Sequence, residues 1–328
     1  MALNGRTPPL RQQRRDFFRP VLNSFLRRAK IGTLFDTEGD EMPLQKNVLA
    51  VHDISCVGKC SLTVALPILS AAGCTVSVLP TAVLSTHTGG FTGFTFRDLT
   101  EDIPKIADHW KSLGLRFDAI YTGYLGSFDQ LRLVSGLIDE LAAPGAMVCV
   151  DPVMADNGSL YASFGPEFPQ GMAALCRKAD LILPNRTEAA LLLGEPYREG
   201  RQDRRTAEEM LRRLSELGPR RVVLTGVSFS AEQTGCAAYD RETGEFRFAF
   251  APKIEGNYHG TGDVFASALI GALMNGFSLG AAAQEAVDFT QRAIARTHLA
   301  GTDVRYGVNF EEGIPSYAQR LAPDPEAL

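Results

Sequence analysis

A glycine-rich turn followed at once by a carboxylate is the clearest chemical signal in this sequence. Gly260-Thr261-Gly262-Asp263 stands directly before a run of small and apolar residues, 264–273, that has helical character. Free N–H groups at a helix start bind anions, and glycine lets a ligand approach closely. Asp263 would repel phosphate, which indicates that it takes a proton from a hydroxyl group while the amides of Gly260, Thr261 and Gly262 stabilise a phosphoryl group in transfer. The structural alternative is a helix stabilised by an acidic first turn.

Polar residues follow several other apolar runs that are typical of buried strands. Parallel strands deliver their carboxyl ends to one edge of a sheet, where open α/β folds bind ligands. The runs, each with the polar residue or residues that follow it, are 47–52 with Asp53, 117–121 with Thr122 to Ser127, 147–150 with Asp151, 180–183 with Asn185, and 221–224 with Thr225 and Gly226. Asp53 could equally be a capping carboxylate.

Asn185 and Glu188 are spaced so that both can face one ligand from the start of a helix. One interpretation is a capping box, with Asn185 as the N-cap and Glu188 as its partner in the first turn. The other is that Glu188 holds water on a divalent cation. Both remain open from the sequence.

The loop that contains Thr86-His87-Thr88-Gly89 has too many hydroxyls and glycines for a core segment. Such a loop is a flexible connection or the wall of a pocket that closes on a small polar ligand. His87 has no partner at the spacing of metal ligands, so we interpret it as a loop residue near the pocket.

The order of the predicted elements indicates an α/β fold with a mostly parallel sheet. Strands 47–52 and 74–79 enclose a helix that ends near Gly73, and helices 101–113 and 168–178 and a helix ending at Leu141 follow in alternation with strands. A charged helix runs to Leu217, strands 235–239 and 245–250 form a predicted hairpin, and helices 261–274 and 279–297 close the pattern.

Composition excludes some classes of function. The 328 residues carry a net charge of −5, which argues against nucleic acid as a partner, and 45% of them are hydrophobic. No apolar run approaches the roughly 20 residues that span a bilayer, so we expect no membrane partner. The six cysteines form no Cys-x-x-Cys pair, which favours free thiols and a reducing, cytoplasmic location.

The composition of the first 45 residues indicates an N-terminal extension of the folded domain. Basic residues dominate up to Gly32 and acidic residues cluster between Asp36 and Glu41, with no apolar segment of a secretory signal. An organellar transit peptide has a similar composition, and Met42 could be a native start. We expect residues 1–45 to be a disordered or dispensable extension of a domain that spans residues 46–328.

Several spaced motifs together resemble the ribokinase superfamily of ATP-dependent kinases, over about residues 46–300. They are Asp151-Pro152-Val153-Met154, Asn185-Arg186-Thr187-Glu188 and Gly260-Thr261-Gly262-Asp263. Thr86 to Gly89, Thr122 to Ser127 and His259 are similar to the vitamin B6 kinases, most closely to bacterial pyridoxamine kinases. The resemblance implies a ribokinase-like three-layer αβα sandwich that phosphorylates the 5′-hydroxymethyl group of pyridoxal, pyridoxine or pyridoxamine. It also implies ATP, Mg²⁺, a monovalent cation such as K⁺, and a homodimer.

The resemblance implies roles for residues by position. Asp263 is the base, and the amides of Gly260, Thr261 and Gly262 form the anion hole. The nucleotide lies near Asn185, Thr225, Gly226 and Tyr161, and the metal near Glu188 and Asp151. The B6 substrate lies near Asp53, Thr88, His87 and Tyr124. Many pyridoxal kinases have serine where this chain has Asp53, which could pair with a protonated pyridine nitrogen or a substrate amine.

Two other functions compete with this one. Hydroxymethylpyrimidine kinases of thiamine synthesis share the fold, but commonly have cysteine in place of Asp263. A catalytically silent pyridoxal phosphate-binding protein would need neither Asp263 nor Glu188. The sequence also leaves open whether Cys56 or Cys60 reacts with a substrate aldehyde, although inert packing is favoured.

Overall fold

The structure, a computed structural model, describes residues 45–322, which form eleven β-strands and nine α-helices. The strands are β1 (Asn47–Ser55), β2 (Thr75–Leu84), β3 (Phe96–Asp98), β4 (Phe117–Thr122), β5 (Ala142–Val150), β6 (Ala155–Asp156), β7 (Ser159–Leu160), β8 (Leu181–Ile182), β9 (Arg221–Val227), β10 (Gln233–Asp240) and β11 (Glu245–Pro252). The helices are α1 (Leu62–Ala71), α2 (Ile103–Ser112), α3 (Phe128–Leu141), α4 (Phe168–Cys176), α5 (Arg186–Leu192), α6 (Arg204–Glu216), α7 (Thr261–Met274), α8 (Leu279–Ala300) and α9 (Ile314–Leu321).

Nine of these strands form one sheet in the order β11-β10-β9-β8-β5-β4-β1-β2-β3. The six strands from β9 to β2 are parallel, and antiparallel strands complete both edges. The central strands are buried along almost their whole length, as a sheet covered on both faces requires.

Two hydrophobic cores cover the two faces of the sheet. Successive residues of β1 point to opposite faces, so Val48 belongs to one core and Leu49 to the other. Helices α1, α7, α8 and α9 pack on the first face, and α2 to α6 pack on the second. The structure therefore confirms the predicted three-layer αβα fold with a mostly parallel sheet.

Strand β2 is longer than the sequence predicted, because it continues through Pro80 to Leu84. Proline is tolerated there since β3 pairs only with residues 82–84, which leaves the backbone at Pro80 without a neighbour on that side. A second pair of strands, at residues 155–160, was not predicted from the sequence. β6 and β7 form a tight hairpin around Asn157 and Gly158, both with positive φ, as an Asn-Gly turn requires.

The predicted N-terminal extension lies, apart from Gln45, outside the described residues. Between Gln45 and Ala322, none of the helices combines the length and apolar composition that crossing a bilayer requires. The predicted hairpin is present as β10 and β11, and the predicted helices lie within a few residues of their expected ends.

Candidate active site

The glycine turn before α7 packs against the loop that follows β1. Gly260 has φ 74°, a left-handed conformation that favours glycine. A Cβ atom there would lie 1.9 Å from the carbonyl oxygen of Lys59. No side chain caps the start of α7 among the described residues, so its first N–H groups remain available to a ligand. The sequence Gly-Thr-Gly thus builds an amide-lined turn at a helix start, as predicted.

Asp263, in the first turn of α7, lies beside these amides. Its Oδ2 accepts a hydrogen bond of 3.0 Å from the backbone N–H of Ser61. Burial raises the pKa of Asp263 from 3.8 to about 6; the N–H of Ser61 opposes the rise, and the negative charge of Asp53 adds to it. A carboxyl group with this pKa is ionised at neutral pH and still basic enough to accept a proton.

Asp53 lies within β1, whereas the sequence predicted it beyond the strand. The pairing of β1 with β2 shifts here, so that Thr81 and Ala82 together stand opposite Asp53. Such a bulge bends the ladder and redirects side chains. Oδ1 of Asp53 accepts from the Ser61 hydroxyl at 2.6 Å, and Oδ2 accepts from the Ser55 hydroxyl at 2.9 Å. Burial raises the pKa of Asp53, while the two hydroxyls favour its charged form.

Glu188 and Asp151 form a buried acidic pair, and Asp151 also interacts with the charge of Asp263. Burial raises the pKa of both carboxyl groups, and the charges of Glu188 and Asp263 raise that of Asp151 further. Glu188 accepts backbone N–H groups of Asn185 at 2.8 Å and Met154 at 3.1 Å. The capping box predicted as one alternative is therefore present. These bonds hold Glu188 in place without excluding a cation.

The side chain of Asn185 bonds to the protein through both its oxygen and its nitrogen. Its Oδ1 accepts from the N–H groups of Thr187 and Glu188, and its Nδ2 donates to the carbonyl oxygen of Ala155. Its backbone pairs with Thr225 at the end of β9. Asn185 therefore ties the small β6-β7 hairpin and β9 to the start of α5.

Gly226, near the end of β9, borders an open cavity of about 350 Å³, whereas the neighbouring Thr225 does not line it. Gly226 has φ 68° and is exposed. Arg201 and Lys253 bring positive charge to the cavity wall, which Ser228, Ser230, Thr234 and Glu255 also line. The two positive side chains suit an anionic ligand.

Of the predicted substrate-binding residues in the loop 86–89, His87 is hydrogen-bonded within the protein and Thr88 is exposed. His87 is buried, accepts the N–H of Gly89 at Nδ1 and lies 2.5 Å through Nε2 from the carbonyl oxygen of Arg305. Nε2 therefore carries the proton and donates it, and both ring nitrogens are occupied. Thr88 is exposed beside it.

The two tyrosines of the predicted site lie around the segment that precedes α4. The Tyr124 hydroxyl is 3.3 Å from Oγ of Ser163, and its ring packs against Phe164. Burial raises the pKa of Tyr124, and the charge of Asp53 adds to that rise. Tyr161 is 39% exposed, and its backbone N–H donates to the Met154 carbonyl oxygen.

Sequence reasoning missed two features of this site. Ser61 contacts both Asp53 and Asp263, and the only signal for it was a serine before an apolar helical run. The segment 303–311 also contacts the site through Lys59. The backbone N–H of Lys59 donates to the Tyr306 carbonyl oxygen. The Nζ atom of Lys59 lies 2.9 Å from both Asn309 Oδ1 and Glu311 Oε2. No motif marks that segment.

Cys60, which the sequence left open as a reactive group, is held as a thiol. Burial and the charges of Asp263 and Asp53 keep its pKa well above 9. Thiols react as thiolates, so this environment favours inert packing. All six cysteines are free, and Cys74, Cys149, Cys176 and Cys236 are buried.

Comparison with known proteins places this geometry in a family. The family model for phosphomethylpyrimidine kinase matches residues 67–308. A protein of Bacteroides thetaiotaomicron, provisionally named phosphomethylpyrimidine kinase, is 42% identical; its structure, with pyridoxal in the crystal, covers 86% of this chain and 97% of its own with a TM-score of 0.79. The pyridoxal kinase of Lactobacillus plantarum is 35% identical, with coverage of 84% and 97% and a TM-score of 0.77.

A curated relative extends the comparison. The pyridoxine/pyridoxal/pyridoxamine kinase of Bordetella avium is 30% identical over 279 residues, which are 79% of this chain and 88% of that protein. Fold and site together define a small-molecule kinase of the ribokinase superfamily. The chain belongs to the phosphomethylpyrimidine kinase family and to the pyridoxal kinases within it.

Proposed function

We propose that this kinase transfers the γ-phosphoryl group of ATP to the 5′-hydroxymethyl group of a vitamin B6 compound. The observation that carries the proposal is Asp263, a carboxyl group with a pKa raised to about 6, beside the amide-lined turn at Gly260. Similarity to the B6 kinases supports the substrate class, since relatives at 30% identity or more are named for it or contain pyridoxal.

Asp263 is the base in this mechanism. Phosphoryl transfer requires that the hydroxyl be aligned with the γ-phosphate, that charge be stabilised and that one proton be accepted. Ionised Asp263 accepts that proton. The N–H groups of Gly260, Thr261 and Gly262 donate hydrogen bonds to the oxygens of the phosphoryl group, whose charge they stabilise.

Asp53 and its neighbours bind the B6 ring. The charged form of Asp53, favoured by the Ser55 and Ser61 hydroxyls, pairs with a protonated pyridine nitrogen or a substrate amine. Thr88 and Tyr124 contact the ring substituents. His87 shapes this wall through its bond to Arg305.

The nucleotide binds beside Thr225 and Gly226, in the cavity that Lys253 and Arg201 line. Asn185 positions the adjoining backbone, and Tyr161 covers the phosphates. The positive side chains of the cavity suit an anionic ligand.

The acidic pair of Asp151 and Glu188 fits Mg²⁺. Burial raises the pKa of both groups, the charge of Glu188 raises that of Asp151 further, and a nearby cation relieves that cost. Among residues 45–322 no cluster of three or more ligating side chains could hold a metal alone. Mg²⁺ commonly keeps waters and binds through one or two carboxylates and substrate phosphates. When bound, it would neutralise charge on the phosphates.

Homodimer formation, a K⁺ requirement and a cytoplasmic location are parts of the same proposal. The first two rest on the family resemblance, and the third rests on free cysteines that suit a reducing compartment. Size-exclusion chromatography with light scattering tests the dimer, for which the expected mass is twice 35.6 kDa.

The test of the mechanism is phosphorylation of pyridoxal by the wild type and by Asp263→Asn, with ATP, Mg²⁺ and K⁺. Loss of a positioned base costs on the order of 10² to 10⁴ in rate. We expect that loss in kcat with an unchanged far-ultraviolet circular dichroism spectrum. Wild-type turnover by the variant would exclude Asp263 as the base.

A further inference from the structure

Ser61 has an unusual backbone conformation for its position. It precedes α1 with φ 57° and ψ −131°, in a region that residues other than glycine rarely occupy. Serine before a helix normally caps it by accepting a backbone N–H with its side chain. Ser61 makes no such bond. Strain of this kind persists only where the surroundings impose it, and it occurs most often at functional sites.

The conformation turns both polar groups of Ser61 toward carboxylates. Its N–H donates to Oδ2 of Asp263 at 3.0 Å, and its hydroxyl donates to Oδ1 of Asp53 at 2.6 Å. Ser61 is buried, so water competes little for these bonds. One residue thus holds the two acidic groups that the proposed function assigns to ring binding and to proton transfer.

We propose that Ser61 is a positioning residue that fixes the ring-binding carboxylate Asp53 and the base Asp263 in one arrangement. The inference rests on the proposed function for the roles of the two carboxylates. Its hydroxyl orients Asp53 toward the substrate ring, and its N–H orients Asp263 toward the substrate hydroxyl. A substrate seated correctly on Asp53 is thereby aligned with the base.

The contact between the Ser61 N–H and Asp263 is tested by NMR, in the absence of substrate turnover. In protein labelled with ¹⁵N-serine, the Ser61 amide signal is assigned by its disappearance in Ser61→Ala. Its proton shift is then followed from pH 4.5 to 7.5. We expect a transition near 6, the pKa of Asp263, and its loss in Asp263→Asn. No transition, or the same transition in Asp263→Asn, would overturn this contact.

Other titratable groups surround Asp263, and the Asp263→Asn variant is the control for their titration. They come from β1, the loop before α1, β4, the end of β5 and the segment after β7: Asp53, Cys60, Tyr121, Asp151 and Tyr161. Asp263→Asn removes only the group that the amide touches, so it separates the titration of Asp263 from theirs.

The contact between the Ser61 hydroxyl and Asp53 is tested by enzyme kinetics. Ser61→Ala removes the bond to Asp53, and Ser61→Gly does so while accepting the positive φ without strain. We expect both to raise KM for the B6 substrate roughly tenfold or more, as for loss of a bond to a charged group, and to leave KM for ATP within about twofold. Ser55→Ala, which removes the other donor to Asp53, should also raise that KM but keep the Ser61 amide transition.

Thr63→Ala is the matched control, because the Thr63 hydroxyl donates only to the carbonyl oxygens of Gly58 and Cys60 in the same loop. Its kinetics should match the wild type. If Ser61→Ala and Ser61→Gly behaved like Thr63→Ala, or raised KM for ATP equally, Ser61 would not position Asp53. A wild type inactive on every B6 compound would reject the proposed function instead, and the amide titration would still decide the contact with Asp263.

Discussion

Four carboxyl groups, Asp53, Asp263, Asp151 and Glu188, lie along the carboxyl edge of the sheet, and burial raises the pKa of each. Their surroundings differ: serine hydroxyls donate to Asp53, one backbone N–H donates to Asp263, two backbone N–H groups donate to Glu188, and the charges of Glu188 and Asp263 act on Asp151. These different surroundings support the different roles that we propose for the four groups.

The raised pKa of Asp263 predicts an acid limb in the pH dependence of kcat/KM. As the proposed base, Asp263 works only when ionised, so activity should fall as the pH drops through about 6 rather than near the ordinary value of 3.8. Because the charge of Asp53 raises the pKa of Asp263, Asp53→Asn should move the limb to lower pH. Initial rates from pH 5 to 8 measure both, and a limb that stayed in place or moved upward would contradict the assigned coupling.

Asp53 should control the choice among B6 compounds. Asp53→Ser removes a charge that favours a protonated nitrogen, and such bonds contribute about 1.5–3 kcal/mol. We expect kcat/KM to change by about 10- to 100-fold for at least one of pyridoxal, pyridoxine and pyridoxamine relative to the others. KM for ATP should change little. Equal losses for all three compounds would count against this role.

At the scale of elements, the turn before α7 depends on Gly260. An alanine there would meet the Lys59 carbonyl oxygen and the strain of φ 74°. We expect Gly260→Ala to lose on the order of 10²-fold in kcat, since the anion-binding amides shift. Gly136→Ala is the control, because Gly136 lies in α3 with open space around its Cα and no positive φ. Wild-type kcat in Gly260→Ala would show that the turn tolerates the change.

The sequence predicted the parallel strands well, because runs such as 48–51 and 222–224 are apolar without interruption. It also predicted that the strand ends before Asp151 and Asn185 lie at one edge of the sheet, since that follows from strand direction. The length of β2 was not predicted, because it depends on strand pairing. The strand continues through Pro80 only because its outer neighbour, β3, is short. The double contact of Ser61 depends on backbone angles, which local composition does not indicate.

At the scale of the whole molecule, we predict that the domain beginning at β1 works without residues 1–44. Those residues are rich in unbalanced charge, and the parallel sheet begins at Asn47. A variant that lacks them should keep kcat and KM within about twofold and its melting temperature within a few degrees. Activity assays and thermal denaturation against the full chain measure this. Loss of folding or activity would make the segment part of the functional domain.

The most direct test of the central claim is a comparison of substrates for the full chain with ATP, Mg²⁺ and K⁺. Pyridoxal, pyridoxamine, pyridoxine, hydroxymethylpyrimidine and ribose are assayed in parallel, and each phosphorylated product is identified by mass. We predict the highest kcat/KM for a B6 compound, with one phosphoryl group added. A wide preference for hydroxymethylpyrimidine, or no product from any of the five, would contradict it.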